Sequence, residues 1–182
     1  GKMDIGKATI TVTADDKSRI YGQGNPSLTF TYNGFVNGQT VATSGITGSP
    51  SLNTEATAST AVGVYPISIE KGSLASSNYD FALANGALSV TKAVLTVTGD
   101  DKSKVYGDEN PSLTASFSGF VNGETLASSG VSGTPDLTTA ATASSPAGNY
   151  VINISGGSLA AGNYTFAYTS GNLLIGKVVI KV

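Results

Sequence analysis

Shifted by 85 residues, this chain matches itself without a gap, and that internal repeat limits its possible folds more than any other feature. KATITVTADDKSRIYGQGNPSLTF from Lys7 aligns with KAVLTVTGDDKSKVYGDENPSLTA from Lys92. GFVNGQTVATSGITGSPSL from Gly34 aligns with GFVNGETLASSGVSGTPDL from Gly119. Of the 85 pairs between 7–91 and 92–176, 47 are identical. Self-similarity at a fixed period is the mark of one structural unit used repeatedly. Two modules are therefore expected, at 7–91 and 92–176. Residues 1–6 read as the tail of a preceding copy, because Ile5-Gly6-Lys7 resembles Ile175-Gly176-Lys177. Residues 177–182 read as the opening of a further one.

Within a module the apolar residues follow a period of two, the pattern of half-buried strands. Thr9 to Thr13 alternates, Leu28, Phe30 and Tyr32 share a face, and Tyr65, Ile67 and Ile69 share another. Tyr79, Phe81 and Leu83 lead into Asn85-Gly86, a dipeptide typical of a tight hairpin, and then Leu88 and Val90. About five strands per module are expected. Asn37 to Ser44, and Asn122 to Ser129 in the second copy, carry a capping Asn, an acid in the second copy's first turn and a terminal Gly, which predicts one short helix each. The inward residues change parity at the junction, from Leu88 and Val90 to Leu95 and Val97. One continuous strand cannot place both sets on one face, so each module is expected to own its core. No Gly/Ser-rich linker lies between them, which argues against loose tethering.

Composition removes several functions. There is no Cys, His or Trp, so thiol and imidazole chemistry and the usual zinc, copper and haem sites have no ligands here. Only 12% of residues are charged and the net charge is -2, which leaves no basic face for nucleic acid. No apolar run approaches the roughly 20 residues of a membrane helix. No cofactor, no membrane insertion and a monomer are expected, and no convergent set of acids, bases or nucleophiles points to an enzyme.

A few repeated residues are candidate sites. Asp15-Asp16 and Asp100-Asp101 are paired acids at a strand end, able to offer oxygen to Ca²⁺ or to serve as a polar turn. Tyr21-Gly22 and Tyr106-Gly107 read as a Tyr packed on the sheet beside a Gly that permits a tight turn, with exposed sugar-stacking aromatics as the other reading. Asn25-Pro26 and Asn110-Pro111 read as turn initiators. The repeated Lys7, Lys92 and Lys177 raise a Lys–Asn isopeptide cross-link. Such a bond needs a nearby acid, and the counterpart of Glu55 is Ala140.

Each copy carries DDKS, Tyr-Gly, NPSLT, GFVNG, ATAS, Gly-x-Tyr and NY-x-F in the same order. In this it resembles the MBG domain family in its Tyr-Gly variety. The resemblance covers about 170 residues and implies tandem repeats of large bacterial adhesins at the cell surface, related to β-grasp modules. The expected fold is mainly β, a small α+β module that is β-grasp-like with one short helix, with an immunoglobulin-like β-sandwich as the alternative. The expected role is a stalk or spacer whose partners are neighbouring repeats. The alternative is multivalent binding of a glycan or protein ligand by the repeats themselves.

Overall fold

Alternation of β-branched and polar residues from Ala8 onward produces the first strand, and the same chemistry recurs along the chain. A computed structural model describes residues 1–179 of the 182. In the first module the strands are β1 (Ala8–Ala14), β2 (Lys17–Ile20), β3 (Phe30–Asn33), β4 (Ser51–Asn53), β5 (Gly63–Glu70), β6 (Tyr79–Ala84) and β7 (Gly86–Thr91). In the second they are β8 (Ala93–Gly99), β9 (Lys102–Val105), β10 (Ala115–Ser118), β11 (Asp136–Thr139), β12 (Gly148–Ser155), β13 (Tyr164–Thr169) and β14 (Gly171–Gly176). The chain divides into two compact units between Thr91 and Lys92. The reading of 177–182 as a further repeat falls partly outside the described residues.

Each module encloses its core between two sheets. In the first, β3-β1-β6 faces β2-β7-β5-β4; in the second, β10-β8-β13 faces β11-β12-β14-β9. Ile10, Val12 and Ala14 of β1 and Tyr79 of β6 meet Ile67 and Ile69 of β5 and Leu88 of β7. Ile10, Ile67 and Leu88 are fully buried. In the second module Ile152, Leu173 and Ile175 form a cluster with Ala141 that shares no residue with the first.

Two bent arms organise the module. β1 and β2 form one arm with a corner at Asp15-Asp16, and β6 and β7 form another with a corner at Asn85. β1 pairs parallel with β6, and β2 parallel with β7. The register never slips: Ala8 faces Tyr79 and Ile20 faces Thr91, both 71 residues apart, as is the hydrogen bond that closes the corner. That bond runs from the Ala87 N–H to Asp16 Oδ1 at 2.8 Å, so a carboxylate stands in for the ladder where the arm switches sheets. Asn172 N–H to Asp101 Oδ1 repeats it at 2.8 Å.

Three expectations are corrected. Among the described residues there is no helix, so the helix over Asn37–Ser44 and its copy over Asn122–Ser129 do not form. Asn37 and Gly38 have φ of 56° and 66°, and the Gln39 N–H donates to the Val36 carbonyl at 3.1 Å. Positive φ at both central residues makes this a left-handed two-residue turn rather than a helix cap. Only one helical turn follows, closed by Ser44 N–H to Thr40 C=O at 2.9 Å and stopped at Gly45, φ 70°. The hairpin at Asn85-Gly86 is likewise absent, since neither residue has positive φ and β6 and β7 lie in different sheets. The β-grasp expectation fails with the helix, which would have covered a single sheet. Two sheets do enclose the core, but each contains a parallel pair, unlike the antiparallel sheets of an immunoglobulin sandwich.

Candidate functional site at the Tyr-Gly turn

The signature residues gather where β2 ends. The Gln23 N–H donates to the Ile20 carbonyl at 3.1 Å across Tyr21-Gly22, and Gly22 has φ 86°. A four-residue turn with positive φ at its third residue selects glycine, because a Cβ there is strained. Val105 to Asp108 repeats the turn, with Gly107 at φ 95°. The Tyr21 N–H continues the arm by donating to the Thr91 carbonyl at 2.8 Å, as Tyr106 N–H does to Gly176 at 2.9 Å. The rings differ: Tyr21 is 4% exposed and Tyr106 is 49% exposed.

Behind the turn lies a buried cation. Arg19 is buried, and its Nε donates to Asn25 Oδ1 at 2.8 Å while its guanidinium also donates to the Thr57 carbonyl. The Asn25 amide in turn donates to the Ala56 carbonyl at 2.6 Å. Asn25 thus ties two loops together, and Asn25-Pro26 starts no turn. In the second module Lys104 replaces Arg19 and donates to the Thr142 and Asp108 carbonyls at 2.8 and 2.9 Å. Asn110 keeps its bond to Ala141, but its buried Oδ1 has no partner. Asn110-Pro111 likewise starts no turn. The lysine is shorter and lacks the second donor nitrogen that reaches this oxygen in the first copy.

The paired acids are already engaged. Asp15 accepts from the Thr29 hydroxyl and Asp16 from the Ala87 N–H. Asp100 accepts from the hydroxyls of Thr114 and Ser116, and Asp101 from the Asn172 N–H. The Ser116 and then the Thr114 hydrogen bond hold the Asp100 carboxyl below its ordinary value. Among the described residues no group of three or more acids, His or Cys gathers around a possible metal. The Asp pairs hold corners. Lys7 and Lys92 donate to the Ser76 and Ala161 carbonyls at 2.9 Å, tying the entrance of each module to the loop before β6 and β13.

The sequence reading missed the buried cations. The available signal was a basic residue retained in both copies at an inward position of a short strand, Arg19 and Lys104.

The decisive match is a family model for the MBG domain (YGX type), which fits the chain twice, at residues 10–89 and 95–174. The chain belongs to the MBG domain family. Both Tyr-Gly turns, both buried cations and both corner Asp pairs fall inside the matched MBG segments. No curated protein matches the chain. Among the described residues no helix is long and apolar enough to cross a membrane.

Proposed function

We propose that these MBG repeats are stalk or spacer segments of a bacterial cell-surface adhesin, holding a separate binding domain away from the cell. The observation that carries this reading is the arm pair. The chain enters a module at Ala8, beside Tyr79, and leaves at Thr91, beside Ile20, at the other end of the same in-register parallel pairing. Tension between entry and exit therefore loads the hydrogen bonds of β1–β6 and β2–β7 together instead of one after another. Parallel ladders space those bonds evenly, so each carries a similar share. The corner carboxylates and the Tyr21 N–H extend the load-sharing set across the bend and beyond the last strand residue.

Membership of the MBG family supports placement outside the cell, and the repeated family match supports a tandem array. A functional test replaces the two repeats in the parent adhesin by a Gly-Ser segment of equal contour length. Adhesion without flow is expected to persist, while adhesion under flow falls. Unchanged resistance to flow would refute the stalk role.

A further inference from the structure

The first module has a cleft whose walls differ from the corresponding surface of the second. β4 pairs with β5 at three positions and stops at Asn53↔Ser68, whereas β11 and β12 continue to a fourth, Thr139↔Ile152. Pro66 flanks the missing pair and stands where the second module has Val151. Proline has no N–H for a ladder, and its ring crowds a neighbouring strand, so sheets end beside it. The chain from Thr54 to Thr60 leaves β5 there and opens a cleft of about 480 Å³. That lies within the roughly 300–1,000 Å³ typical of small-molecule sites.

The walls combine two kinds of surface. Pro66 supplies an apolar ring on the outward side of β5, with Asn53, Glu55 and Ser68 supplying an amide, a carboxylate and a hydroxyl, while Tyr65 lines the cleft from the core-facing side of the strand. Among the described residues the Asn53, Glu55 and Ser68 side chains make no hydrogen bond or ion pair of their own. The Tyr65 hydroxyl is spent on the Ala61 carbonyl at 3.0 Å, which holds the ring in place. The second module has Thr138, Ala140 and Asn153 at the three polar positions, so the carboxylate is unique to the first.

We propose that this cleft binds an uncharged saccharide unit. A carboxylate and an amide side by side match adjacent sugar hydroxyls, and hydrogen bonds to an ionised acceptor are among the stronger ones. The exposed Pro66 ring, on the same side of β5 as Ser68, suits the apolar C–H face of a pyranose. Glu55 repels acidic sugars. An extended peptide adding to the β5 edge would meet Pro66, which offers no N–H. The site is independent of the stalk role, since a module without it would bear load equally.

The test is an amide NMR titration of the whole chain with D-galactose, D-mannose and N-acetyl-D-glucosamine, with sialic acid as the acidic probe. At least one neutral sugar should saturably shift the amides of Asn53, Glu55 and Ser68. Those of Thr138, Ala140 and Asn153 should stay still, and sialic acid should shift none. E55A and P66V each install the second module's residue, so both should fold. E55A should weaken binding by about tenfold or more, the worth of one hydrogen bond to a charged group, and P66V should weaken it as well by removing the ring that packs on the sugar. The proposal is overturned if no neutral sugar shifts the cleft, if both modules respond alike, or if E55A and P66V bind as before.

Discussion

Arg19 and Lys104 occupy the same place in the two copies, yet only the arginine completes its network. The orphaned Asn110 Oδ1 marks the difference. Lys104→Arg should supply the missing donor and stabilise the second module by about 1 kcal/mol, the net worth of a typical hydrogen bond. Chemical denaturation of the chain, following a probe in that module, checks it; no gain would mean the oxygen is satisfied some other way. Asp100 offers a second residue-level test. Its folded pKa is depressed, so the stability it contributes is present above the unfolded value and lost as pH falls through the folded one. Ser116→Ala removes the largest cause of the depression. The Asp100 carboxyl should then titrate at a higher pH by NMR, and an unmoved midpoint would contradict the assignment. At this scale the sequence made the acids, tyrosines and asparagines legible as repeated residues. It could not reveal what they bond to, because Asp16 meets Ala87 and Arg19 meets Thr57 only after the chain has folded.

The elements were legible where period-two alternation was unbroken. β1, β5 and β6 lie where the pattern of Ile10 and Val12, of Tyr65, Ile67 and Ile69, and of Tyr79 and Phe81 places them. β2 and β4 were missed, being three- or four-residue pieces with too little alternation to read. The Asn-Gly signal was read at the wrong site. It forms a left-handed turn at Asn37-Gly38, where a helix start was expected, and the corner of an arm, without positive φ, at Asn85-Gly86, where a hairpin was expected. Tertiary contacts decide between them. The buried Tyr79 hydroxyl accepts from the Val36 N–H and donates to Gln39, pinning the first site. At the second, Asn85 Oδ1 accepts from the Ile69 N–H at 3.1 Å, and a Cβ on Gly86 would strike the Ala14 carbonyl. Two substitutions separate these roles. Gly38→Ala should cost about 1–2 kcal/mol, the left-handed penalty for a residue with a Cβ. Gly86→Ala should cost more, about 3 kcal/mol, because backbone of the opposite arm must move. Thermal unfolding of the two variants gives the order, and a reversed order would contradict the arm corner.

For the whole chain, the parity switch from Leu88 and Val90 to Leu95 and Val97 agrees with burial on both sides of the junction. The clusters around Ile67 and around Ile152 have no member in common. Ile67→Ala should therefore destabilise the first module by about 2–5 kcal/mol and leave the second nearly unchanged. Calorimetry that finds both weakened would refute separate cores. The central claim, that each module is held by parallel arms loaded in shear, is tested most directly by pulling on one molecule in two directions. The natural sequence has no Cys, so cysteine handles can be placed uniquely. Pulled through the chain ends, the modules should resist strongly and release in separate steps. Each step should lengthen the chain by up to about 290 Å for the residues from Ala8 to Thr91, less the folded span. Pulled instead through Lys7→Cys and Asn78→Cys, which sit at the same end of the two arms, the first module should unzip bond by bond at much lower force. Equal forces in the two directions would contradict the shear arrangement.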